Sequence, residues 1–244
     1  MLYKRFKAKF DATSIDEFVG EFKQTMPGYP CPSTPTVYRY IDRGLLDMSN
    51  IDLPMKLKRR RNKRHHSHDG HALHKKNLGN SIEQRPKEVE DRATPLHWEG
   101  DLVKGVRRKN QPALMTLTER TTRFEVVIKI PDYRASTCQR LLQKEIDQHP
   151  DWFKTITFDN GSEFADMTKI KNCRIYFAHP YSPWERGTNE NCNGLLRQFF
   201  TKGKSMKDKT AAYVQQATNA INYKHRRILQ YHTAEELFKQ YISS

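Results

Sequence analysis

The spacing of apolar positions changes several times along the chain. In SIDEFVGEFKQTM, Ile15, Phe18, Val19 and Phe22 recur at helical intervals behind a capping-box signal, Ser14 with Glu17. PGYPCPS interrupts the pattern. TPTVYRYIDRGLL then resumes it, with Ser33 or Thr34 as cap, Pro35 in the first turn and Gly44 as a stop. Two short helices around a turn predict a small helical unit over residues 1–50, either a helix-turn-helix or a plain helical hairpin. Its second helix carries Arg39 and Arg43. From KLKRRRNKRHHSHDGHALHKK to QRPKEVEDR no period is present, so residues 51–95 read as a basic, His-rich linker.

From residue 96 onward the pattern becomes that of a mixed fold. HWEGDLVKG, ALMTLTER and RFEVVIKI are three runs rich in β-formers and predict an antiparallel meander. ASTCQRLLQKEIDQH places Cys138, Leu141, Leu142, Glu145 and Ile146 at helical intervals, and Pro150 ends it. KTITFD and RIYFAH are two further strands around the short helical segment NGSEFADMTKIKN, and helices from Pro183 and in KTAAYVQQATNAINY follow. A meander followed by crossover strands predicts an α/β fold, a mixed sheet flanked by helices and preceded by the small helical unit.

Charge narrows the partner. With 43 Lys and Arg against 28 Asp and Glu, the 244-residue chain has a formal charge of +15, which favours a polyanion such as nucleic acid. No run of about 18 apolar residues and no signal peptide is present, so no membrane partner is expected. The four cysteines, Cys31, Cys138, Cys173 and Cys192, are widely spaced and read as reduced, packed thiols of a cytosolic protein. His65, His66, His68, His71 and His74 read as part of a solvated basic segment near phosphates, because no partner has ligand spacing. Lys58, Arg59, Arg60 and Arg61 are the densest positive charge in that segment.

Two glutamates open YSPWERGTNENCNGLLRQFF, and local chemistry separates them. Ser182, Pro183 and Glu185 read as cap, first-turn proline and reciprocating acid of a capping box, a structural role. On a helical wheel Cys192, Leu195, Leu196 and Phe199 share one side. Glu190 falls on the other with Arg186, Asn193 and Arg197, at the head of a polar, basic face. Trp184 is expected to pack beneath the helix start, with stacking on DNA as the alternative. Asp101 lies within the first strand and Asp159 ends the fourth, and the predicted order allows those strands to be neighbours. An Asp before Asn160 and Gly161 also fits a turn, and Glu163 fits a capping box begun by Asn160.

In this order, HWEGDLVKG, TFDNGSEF and YSPWERGTNENCNGLLRQFF resemble the catalytic core of DDE transposases of bacterial insertion sequences, specifically the insertion-sequence-thirty family. The resemblance covers residues 96–240, with weaker likeness in STPTVYRYIDRGLL and the basic linker. It implies a ribonuclease H-like, five-stranded integrase core over residues 96–244, with Asp101, Asp159 and Glu190 as catalytic, metal-binding acids. Thirty residues lie between Asp159 and Glu190, a short spacing for the family, and Leu96 stands where a glycine is usual. The terminal KHRRILQYHTAEELF lacks the family's customary prolines, and the chain is expected to begin after the family's end-binding region.

The implied reaction is metal-dependent cleavage and strand transfer of an insertion sequence, by a homo-oligomer on double-stranded DNA in a bacterial cytoplasm, at the nucleoid. Three converging carboxylates repel one another unless cations sit between them, and two Mg²⁺ or Mn²⁺ ions about 3.5–4 Å apart would clamp an in-line phosphoryl displacement. Arg186, Asn193 and Arg197 are then placed for DNA, with Arg39, Arg43 and Lys58 to Arg61 as further contacts. Two rival expectations are a ribonuclease H-like nuclease and a non-catalytic fragment regulating a longer transposase.

Overall fold

A computed structural model describes residues 14–50, 53, 77–106, 110–180 and 182–243. The histidine cluster and Lys58 to Arg61 lie outside the described residues. The chain divides into two compact units, one comprising Met1–Leu73 with Lys224–His232, the other His74–Tyr223 with Thr233–Ser244.

In the first unit, α1 (Ile15–Thr25) starts with the expected capping box, the Ser14 hydroxyl accepting from the Glu17 N–H at 3.2 Å. The Ser33 position precedes α2 (Thr34–Asp42) without a side-chain cap bond, and Gly44, at φ 66°, follows it. Their apolar faces meet in a core of Ile15, Phe18, Val19, Phe22, Val37, Ile41 and Leu53. Arg39 and Arg43 are exposed. The late segment Lys224–His232 completes this unit. Lys224 Nζ and the His225 N–H both donate to the buried Glu17 carboxylate, at 2.6 and 3.1 Å. The Tyr231 ring lies so close to Gly20 that a Cβ there would sit 1.8 Å from a ring carbon. A glycine inside a helix costs roughly 0.5–1 kcal/mol relative to alanine, and this close approach explains its presence.

The second unit is built on one five-stranded sheet in the order β3-β2-β1-β4-β5. Residues 77–95, within the stretch expected to be linker, carry a turn at Ile82–Gln84 and the short helix α3 (Lys87–Asp91), and Ser81 bridges to Phe177. Leu96, before the first strand, adopts φ 74°, the left-handed region that a glycine occupies without a steric cost. Its N–H donates to Glu119 and its carbonyl accepts from the Lys154 N–H, both at 3.0 Å, which holds the strained residue in place.

The strands β1 (His97–Lys104), β2 (Ala113–Glu119) and β3 (Glu125–Ile130) form the expected antiparallel meander. Then α4 (Ala135–Gln148) buries Cys138, Leu142 and Ile146 and crosses to β4 (Thr155–Phe158), which pairs in parallel with β1. β5 (Arg174–Phe177) adds a further parallel strand. After it come α5 (Gly187–Leu196), α6 (Ala211–Asn222) and α7 (Ala234–Ile242). α5 packs on β1 and β2 and α6 on β3, enclosing Val103, Leu114, Leu196, Phe200, Val214 and Ile221. The aromatic cluster of Trp98, Phe124 and Phe153 includes Phe238 of α7, stacked on Phe124 at 4.2 Å. Burying one such ring contributes roughly 1.5–3 kcal/mol, enough to hold this short terminal helix. A mixed sheet of this order with helices packed on it is the ribonuclease H-like α/β fold.

Candidate active site

Strand alternation puts Glu99, Asp101 and Val103 on one side of β1, and Val103 belongs to the cluster that includes Leu196 of α5. Asp101 is partly buried. Its Oδ1 accepts from the Leu102 N–H at 2.8 Å and its Oδ2 from the Asn193 amide at 2.7 Å. Thr116, directly across the ladder from Asp101 on β2, donates to the Asn193 Oδ1 at 3.2 Å. This couples α5 to the sheet at the acid. Burial pushes the Asp101 carboxyl above its ordinary range, with Arg186 and the two hydrogen bonds opposing and the charge of Asp159 adding to it.

Asp159 follows β4, the strand beside β1. Its Oδ1 accepts from the Gly161 N–H at 2.9 Å, an Asx-type turn that aims the side chain, and its Oδ2 accepts from Arg186 at 2.9 Å. The same guanidinium donates to the carbonyl of Gly100, next to Asp101, at 3.0 Å. Arg186 therefore links the two acid-bearing strands through one positive charge. Two oxygen-donor carboxylates, one of them under electrostatic load from the other, are a donor set that a hard cation would occupy and relieve.

Glu190 lies in the first turn of α5 and is exposed. Among the described residues no group of three His, Cys, Asp or Glu side chains is close enough to hold a metal ion, so the expected third acid does not join the pair. The helix also starts later than the sequence pattern predicts. Residues Pro183–Arg186 form a 3-10 turn without a side-chain cap bond, and the α-helix begins at Gly187. Glu185 is not the acid of a capping box. It accepts from the His179 N–H at 2.9 Å and pairs with the ring nitrogen Nδ1 at 2.8 Å, which raises the His179 pKa. Trp184 does not pack beneath the helix start and is 75% exposed. Nor do Asn160 and Glu163 form a capping box: the Asn160 side chain bonds the Leu78 N–H and Asn77, and Glu163 pairs with Lys104 at 2.8 Å.

Of the residues expected to meet DNA, Arg186 and Asn193 bond the acid-bearing strands as described, and Arg197 donates to the Lys104 carbonyl at 2.9 Å. Arg39 and Arg43 belong to the other unit.

A layer behind the acids escaped the sequence reading. Glu99 is fully buried, pairs with Arg120 at 2.9 Å and accepts the Asn189 N–H at 3.2 Å. Its negative charge thus sits at the amino end of α5, where the helix dipole favours it. Arg123 donates to the Thr188 hydroxyl at 2.7 Å and fixes the same turn from another side. The signal was present in HWEGD, where alternation places Glu99 on the face of Asp101.

The integrase core domain family matches residues 91–183, a span holding Asp101 and Asp159 and ending before Glu190. Over 226 residues the chain is 40% identical to a probable transposase for insertion-like sequence element IS1161 of Streptococcus salivarius, covering 93% of this chain. The chain is similar to transposases of the insertion-sequence-thirty family. Relatives from Cupriavidus metallidurans, a transposase for insertion sequence element IS1086, and from Escherichia coli, for IS30A, are 35% and 31% identical over 67% and 68% of this chain. The chain spans 64% of the length of the Streptococcus relative, and 49% and 43% of the other two. Among the described residues no helix is long and apolar enough to cross a membrane.

Proposed function

We propose that this chain carries the catalytic core of a DNA transposase, a polynucleotidyl transferase that cleaves the ends of an insertion sequence and joins them to target DNA. The observation that carries the reading is the meeting of Asp101 and Asp159 on neighbouring strands, linked by Arg186. Asp101 and Asp159 would hold divalent cations, Mg²⁺ or Mn²⁺, with Glu190 of α5 as the third acid of a two-ion site. Such ions supply Lewis-acid stabilisation of the attacking and leaving oxygens of a phosphodiester. Asn193 orients the Asp101 carboxylate, and Glu99 fixes the helix end that carries Glu190. Arg186 supplies positive charge where a scissile phosphate would lie.

In the same proposal the helical unit of residues 1–50, completed by Lys224–His232, binds DNA with Arg39 and Arg43 on its surface, and Lys58 to Arg61 of the linker meet phosphates. The catalytic domain is the sheet unit, which takes in residues 77–95 of the stretch expected to be linker, and the protein works as a homo-oligomer on double-stranded DNA in the cytoplasm. A non-catalytic, regulatory reading has one observation in its favour, the exposure of Glu190 away from any three-acid cluster among the described residues.

The test is strand cleavage and strand transfer on labelled insertion-sequence ends with Mg²⁺ or Mn²⁺. Asp101→Asn, Asp159→Asn and Glu190→Gln should each abolish both steps and leave the circular dichroism spectrum unchanged. In melts of the parent chain, Mg²⁺ or Mn²⁺ should raise the transition temperature, since cations bind the folded acid pair and not the unfolded chain, and Asp101→Asn should lose that rise. Near-normal strand transfer by the Glu190 variant would sink its assignment, and a chain that binds DNA without cutting it would favour the regulatory reading.

A further inference from the structure

At 75%, Trp184 is the most exposed of the large hydrophobic side chains among the described residues. It is not carried on a loose loop. The Ser182 N–H donates to the His179 carbonyl at 3.2 Å, the Glu185 N–H donates to the Ser182 carbonyl at 3.2 Å, and the Glu185 carboxylate holds His179 from two sides. Two positions on, Arg186 is bonded to Asp159 and to the carbonyl beside Asp101. The segment is thus held on both sides of the indole, and on one side the Arg186 side chain ties it to Asp159 and to the carbonyl beside Asp101.

The chemistry of the ring selects its ligand. An indole brings no charge to pair with a phosphate, but its π face accepts any nucleobase, and such stacking is tolerant of sequence. A base inside a closed duplex has both faces covered and the last pair of a blunt end exposes only one, pointing along the helix axis, so an unpaired base, free to turn to the ring, is the better fit to the platform. The +15 chain supplies attraction for the backbone, and the acid beside Trp184 is engaged by His179 rather than left to repel phosphate.

We propose that Trp184 is a stacking platform for an unpaired nucleobase beside the phosphate handled by Asp101 and Asp159, so that the site takes a frayed or single-stranded DNA end in preference to closed duplex. This rests on the DNA-end chemistry proposed above. The step involves binding only, and the platform selects the form of the end rather than its sequence.

The experiment uses the full chain with Asp101→Asn as parent, so that no turnover intervenes, at a salt concentration that screens phosphate contacts. Two labelled duplexes of equal length are compared by fluorescence anisotropy, one blunt and one with three unpaired nucleotides at a 3′ end. The parent should prefer the unpaired end. Stacking of about 1–3 kcal/mol per base corresponds to roughly 5- to 150-fold in affinity, and Trp184→Ala should lose a preference of that size. Trp184→Phe, which keeps a π face, should retain most of it, with melting transitions of all three chains coinciding.

A Trp184→Ala chain that still prefers the unpaired end would overturn the proposal, as would a parent with no preference. Loss of self-association in sedimentation, with the end preference intact, would assign the indole to a contact between copies instead. Cleavage by the Asp101→Asn parent would refute the catalytic assignment and leave the binding comparison standing, because the two are read separately.

Discussion

Gly100→Ala tests whether the close fit of two strands positions the acids. A Cβ on Gly100 would lie 2.1 Å from Cε1 of Phe158 and 2.6 Å from Cδ1, against roughly 3.5 Å for ordinary carbon contact. Phe158 is fully buried and packs on Phe164 with ring centroids 4.6 Å apart, so the ring has no free space to turn into. Overpacking of this kind costs about 1–3 kcal/mol, and replacing a strand glycine returns roughly 0.5–1 kcal/mol, leaving a net loss of up to about 2.5 kcal/mol. The functional loss should be larger. Gly100 precedes Asp101 and Phe158 precedes Asp159, so whichever strand yields carries an acid with it. A misplacement of about 1 Å can cost on the order of 100-fold in rate, which is about 2.7 kcal/mol in barrier. Urea denaturation and single-turnover end cleavage measure the two losses separately. Gly194→Ala is the control, since nothing lies within 4 Å of the added carbon and a helical glycine replaced there should stabilise by up to about 1 kcal/mol. The reasoning fails if Gly100→Ala melts with the parent and cuts at the parent rate.

Two further predictions concern the turn that leads into α5. Arg120→Ala leaves the buried Glu99 unpaired and should cost roughly 3–5 kcal/mol in urea denaturation, whereas loss of a surface ion pair would cost under about 1 kcal/mol. His179 faces Glu185 at 2.8 Å and Glu83 at 3.4 Å, and its pKa is raised above 6.5 chiefly by the Glu185 bond. The stabilisation is therefore complete below pH 6.5 and is lost as pH rises through the folded value. Glu185→Gln should return the His179 titration, followed by NMR, toward the ordinary histidine range and flatten that part of the stability profile. An unchanged His179 titration in this variant would remove Glu185 from the role assigned to it.

Much of the sheet was legible because its strands obey local rules. The runs at His97, Ala113 and Glu125 are rich in β-formers, and Asp101 and Asp159 stand out as acids in or beside strands. Pattern was less informative where long-range partners decide the local structure. Ser182, Pro183 and Glu185 have capping-box identities, yet His179 offers Glu185 both a backbone N–H and a ring nitrogen, and the α-helix begins only at Gly187. Arg186 and Arg197 look like solvent-facing cations on a wheel, but main-chain carbonyls of β1 at Gly100 and Lys104 accept their guanidinium N–H groups. Trp184 carries the largest apolar side chain of its segment, and composition alone placed it inside. The short terminal helix α7 is held by Phe238 against rings far away in sequence, which no local period reveals.

The assembly of the first unit from Met1–Leu73 and Lys224–His232 sets an order of events on the ribosome. The buried Glu17 waits for Lys224 and His225, and the surface at Gly20 waits for Tyr231. About 150 residues must be made in between, which at roughly 5–20 residues per second takes on the order of 10–30 s. During that interval the two helices lack their last partner while the sheet that follows them is still being synthesised. A unit begun before the sheet is thus completed only after it.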